Sequence, residues 1–264
     1  MIQPETTSNT YRPFVLSGGG ARGYAHLGVL KAFSEKHIYP EAIAATSSGS
    51  MIAAFICDGY TPDEVNTLFH STKLSLSMQW NNLKSGLLSL KTVEQVLKTY
   101  LRSTTFEQLK IPLYITATNY TNGTRAVFSK GPIIPAIMAA SSIPILFSPV
   151  TIEGIPYVDG GLSGNLPAEV LVPQYRDIIG VHVNPIRPYN PADSIMANVE
   201  RTLNMAIHEP VTISRLLCSQ FIEPEALREF GTFDFKKFPA MYTVGLEYTR
   251  QLLAQPAPVS AQTH

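Results

Sequence analysis

The stretch Phe14–Phe33, FVLSGGGARGYAHLGVLKAF, places Gly18, Gly19 and Gly20 in a row between a short apolar run and a segment of helical spacing. Phe14 to Ser17 has strand length, and Leu27, Leu30 and Phe33 mark the packed face of a helix, so the glycines form a strand-to-helix connection. Gly18, Gly20 and Gly23 also satisfy the spacing of a dinucleotide fingerprint. That site needs an acid near the end of the second strand, yet the run Ile43 to Thr46 leads into Ser47. A Walker phosphate loop fails as well, because Tyr24 stands where its lysine belongs. A plain tight turn needs only one or two glycines. Consecutive glycines at a helix N-terminus do something else: they let neighbouring backbone N–H groups converge on one point, where the helix dipole favours negative charge. The expectation is an oxyanion hole at Gly18, Gly19 and Gly20. Arg22 either adds positive charge there or braces the loop through an ion pair.

An oxyanion hole requires a nucleophile. The segment AIAATSSGSMIAAF, Ala42 to Phe55, runs an apolar strand into Ser47 and an apolar helix out of it. This is the context of a nucleophile elbow, where a sharp turn exposes the serine hydroxyl. Of the flanking small residues, Gly49 matches the G-x-S-x-G pattern and Ala45 replaces its first glycine with a residue one methyl larger. The competing role for Ser47 or Ser48 is a helix N-cap; the glycine loop one strand away favours catalysis.

Serine needs a base within hydrogen-bond reach. His182 sits in the apolar run DIIGVHV, where a packed histidine is the ordinary reading, and His208 falls at a helical segment just before Pro210. Asp159 is marked differently. The stretch VTIEGIPYVDGGLSGNLP reads as a hairpin turning at Glu153 and Gly154 that delivers Asp159 into Gly160 and Gly161, where another backbone can approach closely. An aspartate of ordinary pKa, about 3.9, is a poor base at neutral pH, so an apolar pocket has to raise it. The uncharged segment 131–152 is a candidate wall for that pocket.

Working outward, Ile43–Thr46, Leu113–Thr118 and Ile178–Val183 are further runs of strand length separated by helical patterns, which predicts a mostly parallel sheet covered by helices. Ser50 to Gly59 reads as a buried helix with a glycine stop, Thr61, Pro62 and Glu64 as a capping box, and Val93, Val96, Leu97, Tyr100 and Leu101 as a helical stripe. Ser71–Ser89, with the single tryptophan, is a surface connection or a lid. Residues 174–253 supply a strand and helices packing on the same domain, and 254–264 reads as a disordered tail.

Twenty basic and twenty acidic residues leave no net charge, which argues against a nucleic-acid partner. The two cysteines are too few for a disulfide framework, and the N-terminal residues lack a signal-peptide pattern, so a cytoplasmic protein is expected. The uncharged run 131–152 is interrupted by Pro132, Pro135, Pro144 and Pro149, which fits a short buried helix and loop rather than a membrane span.

Together the three motifs resemble those of the patatin-like phospholipase family: GGGARG at Gly18–Gly23, Ser47 with Gly49, and DGG at Asp159–Gly161, in the same order and at similar separations over roughly residues 12–173. ASSIPILFSPV is also similar to the segment preceding the aspartate in bacterial members. The resemblance implies a three-layer α/β/α sandwich, a Ser47–Asp159 dyad working without histidine, metal or cofactor, and acyl esters of lipids as substrates, met in transient contact with a membrane surface. Ala45 is the departure from the pattern. Two rivals follow from the residues: a Ser-His-Asp hydrolase using His182 or His208, and a catalytically silent lipid-binding or regulatory protein.

Overall fold

The computed structural model describes residues 8–70, 90–192 and 195–255. The segment 71–89, read as a surface connection or a lid, lies outside these residues, as does the tail beyond Gln255. Eight strands among the described residues form one sheet: β1 (Thr10–Leu16), β2 (Ile38–Thr46), β3 (Leu113–Asn119), β4 (Arg125–Phe128), β5 (Val150–Ile152), β6 (Ile155–Asp159), β7 (Ile179–Val181) and β8 (Gln220–Ile222). They bond in the order β5-β6-β3-β2-β1-β7-β8, with β4 also on β3. The central pairings are parallel, and β4, β5 and β6 add an antiparallel end.

The central strands are buried on both faces. Phe14, Leu16, Ile43, Ala45 and Ile115 point into one core and Val15, Ala42 and Ala44 into the other. Near-continuous apolar runs are what parallel strands between two helical layers require. The first layer holds α1 (Ala25–Ser34), α2 (Ser47–Cys57), α3 (Pro62–His70), α4 (Leu90–Tyr100), α5 (Ile133–Ala140) and, further along, the long helix Phe238–Ala254. Leu166, Ala168, Leu171 and Val211 cover the opposite face. The mixed α/β sandwich expected from the sequence is therefore present. Phe14 and Phe33 meet edge-on with ring centroids 5.2 Å apart, and burying each contributes about 1.5–3 kcal/mol. This contact ties the two flanks of the glycine loop together. The capping box forms at Thr61 and Glu64, and the run 131–152 becomes α5, a loop and the short strand β5. No helix among the described residues is long and apolar enough to cross a membrane.

The register along β3 positions the site. Ile115 and Thr116 pair with β2 and β4 at once, so those two strands occupy opposite edges of β3. Ala117 and Thr118 pair with β4 and β6, so β6 takes the edge that β2 has left. The last β2 pair is Thr46 with Thr116, and the next position, Ala117, pairs with Asp159. Residue 47 and residue 159 thus meet end to end along a single strand edge, at the point where β2 and β6 both leave the sheet.

Candidate active site

Thr46 is extended, and Ser47 turns the chain into α2 with φ +50°, a left-handed conformation that costs a non-glycine residue free energy and persists where surrounding structure holds it. The Ser47 hydroxyl donates to Asp159 Oδ2 at 2.6 Å, and both side chains are more than nine-tenths buried. The turn is tight enough that a Cβ on Gly49 would lie 2.6 Å from the Ser17 carbonyl oxygen, and one on Gly160 would lie 2.2 Å from that of Thr116. Ala45, at the position of the missing glycine, pairs with Leu16 and Ile115 and is fully buried in the first core.

Asp159 is held on every side. Its amide donates to the Ser142 carbonyl at 2.9 Å, its carbonyl accepts from Thr118 Oγ1 at 2.9 Å, and Oδ1 accepts the Gly161 amide at 2.8 Å. The Gly160 amide bonds the Ala140 carbonyl, so the end of α5 clamps the aspartate strand. Burial raises the Asp159 carboxyl from 3.8 to about 6, with the Ser47 and Gly161 hydrogen bonds pulling in the other direction.

The glycine loop divides its amides. Gly18 N–H donates to the Asn165 carbonyl at 3.3 Å, while its own carbonyl accepts from Asn184 Nδ2 at 2.7 Å and Asn165 Nδ2 at 3.3 Å. Gly18, expected among the donors of an oxyanion hole, is thereby occupied as an anchor. The Gly19 and Gly20 amides have no acceptor among the described residues. Gly23 packs against Ser48, where a Cβ would meet its hydroxyl at 2.3 Å and so would displace it. Arg22 donates to Thr232 Oγ1 at 2.6 Å and lines a different cavity from Ser47, which makes it a brace for the loop. Three residues that the sequence reading passed over also hold the loop: Asn165, Asn184 and buried His26, whose Nε2 lies 2.8 Å from the Ser17 carbonyl. Desolvation lowers the His26 pKa to about 4, so the ring is neutral and Nε2–H donates. An asparagine directly after the strand, before Pro185, was the one available signal.

Among the described residues, neither alternative base is hydrogen-bonded to Ser47. His182 is bound through Nδ1 to Glu223 Oε1 at 2.6 Å, stacks near Phe221, and lines no cavity that contains the serine. His208 is exposed at the start of the helix His208–Arg215.

Two apolar cavities converge on Ser47. One, of about 380 Å³, is bounded by the three loop glycines, Asp159, Ile143 and Phe233; the other, of about 80 Å³, runs beneath α2 past Met51, Phe69 and Val93. Ser47, Gly20, Ile143 and Phe233 belong to both. The rim of the larger one carries exposed apolar side chains: Tyr120, Leu162 and Ile145, the last 92% exposed.

The molecule is thus a mixed α/β sandwich that holds a serine at positive φ, on a strand-to-helix turn, against a buried carboxylate. The chain belongs to the patatin-like phospholipase family, whose profile matches residues 14–172. It is 30% identical over 215 residues to YqhO of Bacillus subtilis, covering 69% of this chain and 74% of that one. It is 31% identical over 189 residues to protein R571 of Acanthamoeba polyphaga mimivirus, spanning 63% of that protein, and 26% identical over 280 residues to the lysophospholipase NTE1 of Saccharomyces cerevisiae, spanning only 16% of it. Among solved structures, VipD of Legionella pneumophila shares the fold, with a TM-score of 0.53 at 14% identity over 93% of this chain and 66% of that one.

Proposed function

We propose that the chain is a serine acyl hydrolase acting on carboxylic ester bonds of lipids, with Ser47 as nucleophile and Asp159 as its base. The observation that carries this reading is the 2.6 Å hydrogen bond from Ser47 Oγ to a carboxylate that burial has lifted to about 6. Asp159 takes the Ser47 proton as Oγ attacks the acyl carbonyl carbon, and the Gly19 and Gly20 amides receive the charge that develops on the carbonyl oxygen. The proton passes from Asp159 to the departing alcohol. Water, deprotonated by the same carboxylate, then attacks the acyl-enzyme and releases the fatty acid. The apolar walls beside Ser47 support an acyl chain as the occupant, and the name of the yeast relative supports a lipid ester. The apolar rim of Tyr120, Ile145 and Leu162 supports contact with a lipid surface while substrate enters.

A histidine-free base fixes the pH profile. Activity requires the ionised carboxylate, so kcat/KM for a soluble acyl ester falls about tenfold per pH unit below a midpoint of about 6 and is level above it. The double variant His182→Gln/His208→Gln is expected to retain the same profile and activity within a few-fold of wild type. An acid limb that disappears, or activity lost, in that variant would assign the base to a histidine.

A further inference from the structure

A third cavity, of about 230 Å³, adjoins the larger apolar one, and its wall carries Arg22, Arg187, Arg201 and Arg228 against a single carboxylate, Glu229. The two spaces are neighbours: Asn204 lines both, Gly231 of one wall continues into Thr232 of the other, and Asn184 continues into Pro185. This concentration of positive charge occurs in a chain whose net charge is zero, directly beside the candidate ester site.

Three of the guanidinium groups are held in position. Arg201 donates through Nη1 to the Arg187 carbonyl at 2.5 Å and lies 5.8 Å from the Tyr189 ring centroid; Arg228 pairs with Glu225 at 2.6 Å; Arg22 donates to Thr232. A guanidinium presents five donors, and the contacts of Arg201 and Arg228 engage only part of that set. Planar forks clustered in this way match the tetrahedral oxygens of a phosphate, which accept two parallel N–H···O bonds from one arginine. An uncharged sugar or glycerol gives no reason to gather four cations, and the carboxylate product forms at Ser47 in the apolar space.

We infer that this arginine pocket binds the phosphate of the substrate, so that one lipid spans both cavities with its acyl ester at Ser47 and its headgroup phosphate on Arg201 and Arg228. The inference rests on the acyl hydrolase reading, and what it adds is the pair of residues that hold the phosphate of a phospholipid, the substrate type that the family's name already carries. Both arginines lie beyond residue 172, outside the segment matched by the family profile. They set specificity and take no part in bond cleavage.

The test compares monopalmitoyl glycerol phosphate with monopalmitoyl glycerol, presented in the same mixed micelles, for the wild type, Arg201→Gln and Arg228→Gln. The two substrates differ only by the phosphate, so the ratio of their kcat/KM values cancels any general loss of folding. Loss of a charge-assisted pair lowers that ratio by about 10- to 100-fold in each variant, mainly through KM for the phosphate ester. An unmoved ratio in both variants overturns the inference while leaving the hydrolase reading standing. Inorganic phosphate added to the wild type separates the sources: a change in monopalmitoyl glycerol turnover, with the ratio unmoved by the variants, assigns the pocket to free phosphate and overturns the headgroup assignment. A wild type that cleaves neither substrate overturns the proposed hydrolase activity, and the headgroup assignment with it.

Discussion

Asp159→Asn lowers kcat/KM by about a thousand- to ten-thousand-fold while leaving the protein as stable as the wild type, or more so, above pH 6. The loss follows from the chemistry: an amide accepts no proton from Ser47, and a positioned general base is worth about 10²–10⁴ in rate, with orientation of the nucleophile lost on top. The stability result follows from the same burial. The folded state holds the carboxyl at about 6 against 3.8 ordinarily, so it binds a proton more tightly than the unfolded chain does. The resulting stabilisation is complete below about pH 3.8 and is lost as pH rises through about 6. Above that, the ionised carboxylate sits in its apolar surroundings at a cost on the order of 3 kcal/mol. Asparagine has the same shape, its carbonyl oxygen still accepts the Gly161 amide, and its N–H donates to Ser47 Oγ. A melt at pH 8 followed by circular dichroism is expected to show an unchanged Tm or one raised by a few degrees. Activity within tenfold of wild type would remove Asp159 from the mechanism.

Gly20→Ala costs about 100- to 1000-fold in kcat and, unlike the aspartate variant, also costs stability. Gly20 has φ +57°, and a Cβ there would lie 2.4 Å from the backbone carbonyl oxygen of Thr232. Backbone cannot swing aside as a side-chain tip can, so the Gly20 amide and the segment carrying Phe233 shift together. That moves one of the two amides left open and a wall shared by both apolar cavities. Losing a single oxyanion donor accounts for about 2.7–4 kcal/mol of transition-state stabilisation, and forcing alanine to a positive φ adds about 1–3 kcal/mol of destabilisation. Steady-state kinetics and a thermal melt on the same preparation separate the two effects. Full activity in this variant would place the oxyanion elsewhere.

The difference between these two variants reflects how the site is assembled, and also how much of it the sequence discloses. Ser47, Asp159 and the loop glycines each carry a local signature, because a sharp turn or a close backbone approach restricts the residue type at that position. Pairing along the β3 edge has no such signature. Nothing in the segment leading to Asp159 says that it replaces β2 at Ala117, and that replacement is what brings the hydroxyl to the carboxylate. The short strands β4 and β8 were illegible for a related reason: Arg125–Phe128 and Gln220–Ile222 are too brief for periodicity to register, and their strand state comes from the neighbours they pair with. The anchoring of Gly18 was hidden too, since Asn165 and Asn184 lie 147 and 166 residues away and act through side-chain amides that look like ordinary loop polarity. Contact between Gly28 and the helix Phe238–Ala254 has the same character. A Cβ at Gly28 would lie 2.1 Å from the Tyr242 carbonyl oxygen and one at Gly245 2.3 Å from that of Ala25, and only the folded chain brings these two small residues to one crossing. What was legible was the chemistry imposed on single turns; what was not was long-range pairing.

Covalent capture by a fluorophosphonate probe, mapped by peptide mass spectrometry, bears most directly on the pairing of Ser47 with Asp159. Expected is a single adduct on Ser47, formed at a rate that rises with pH through a midpoint near 6, at least a hundredfold slower in Asp159→Asn and absent in Ser47→Ala. Folded wild-type protein that stays unlabelled, or that labels Asp159→Asn as fast as wild type, would contradict it.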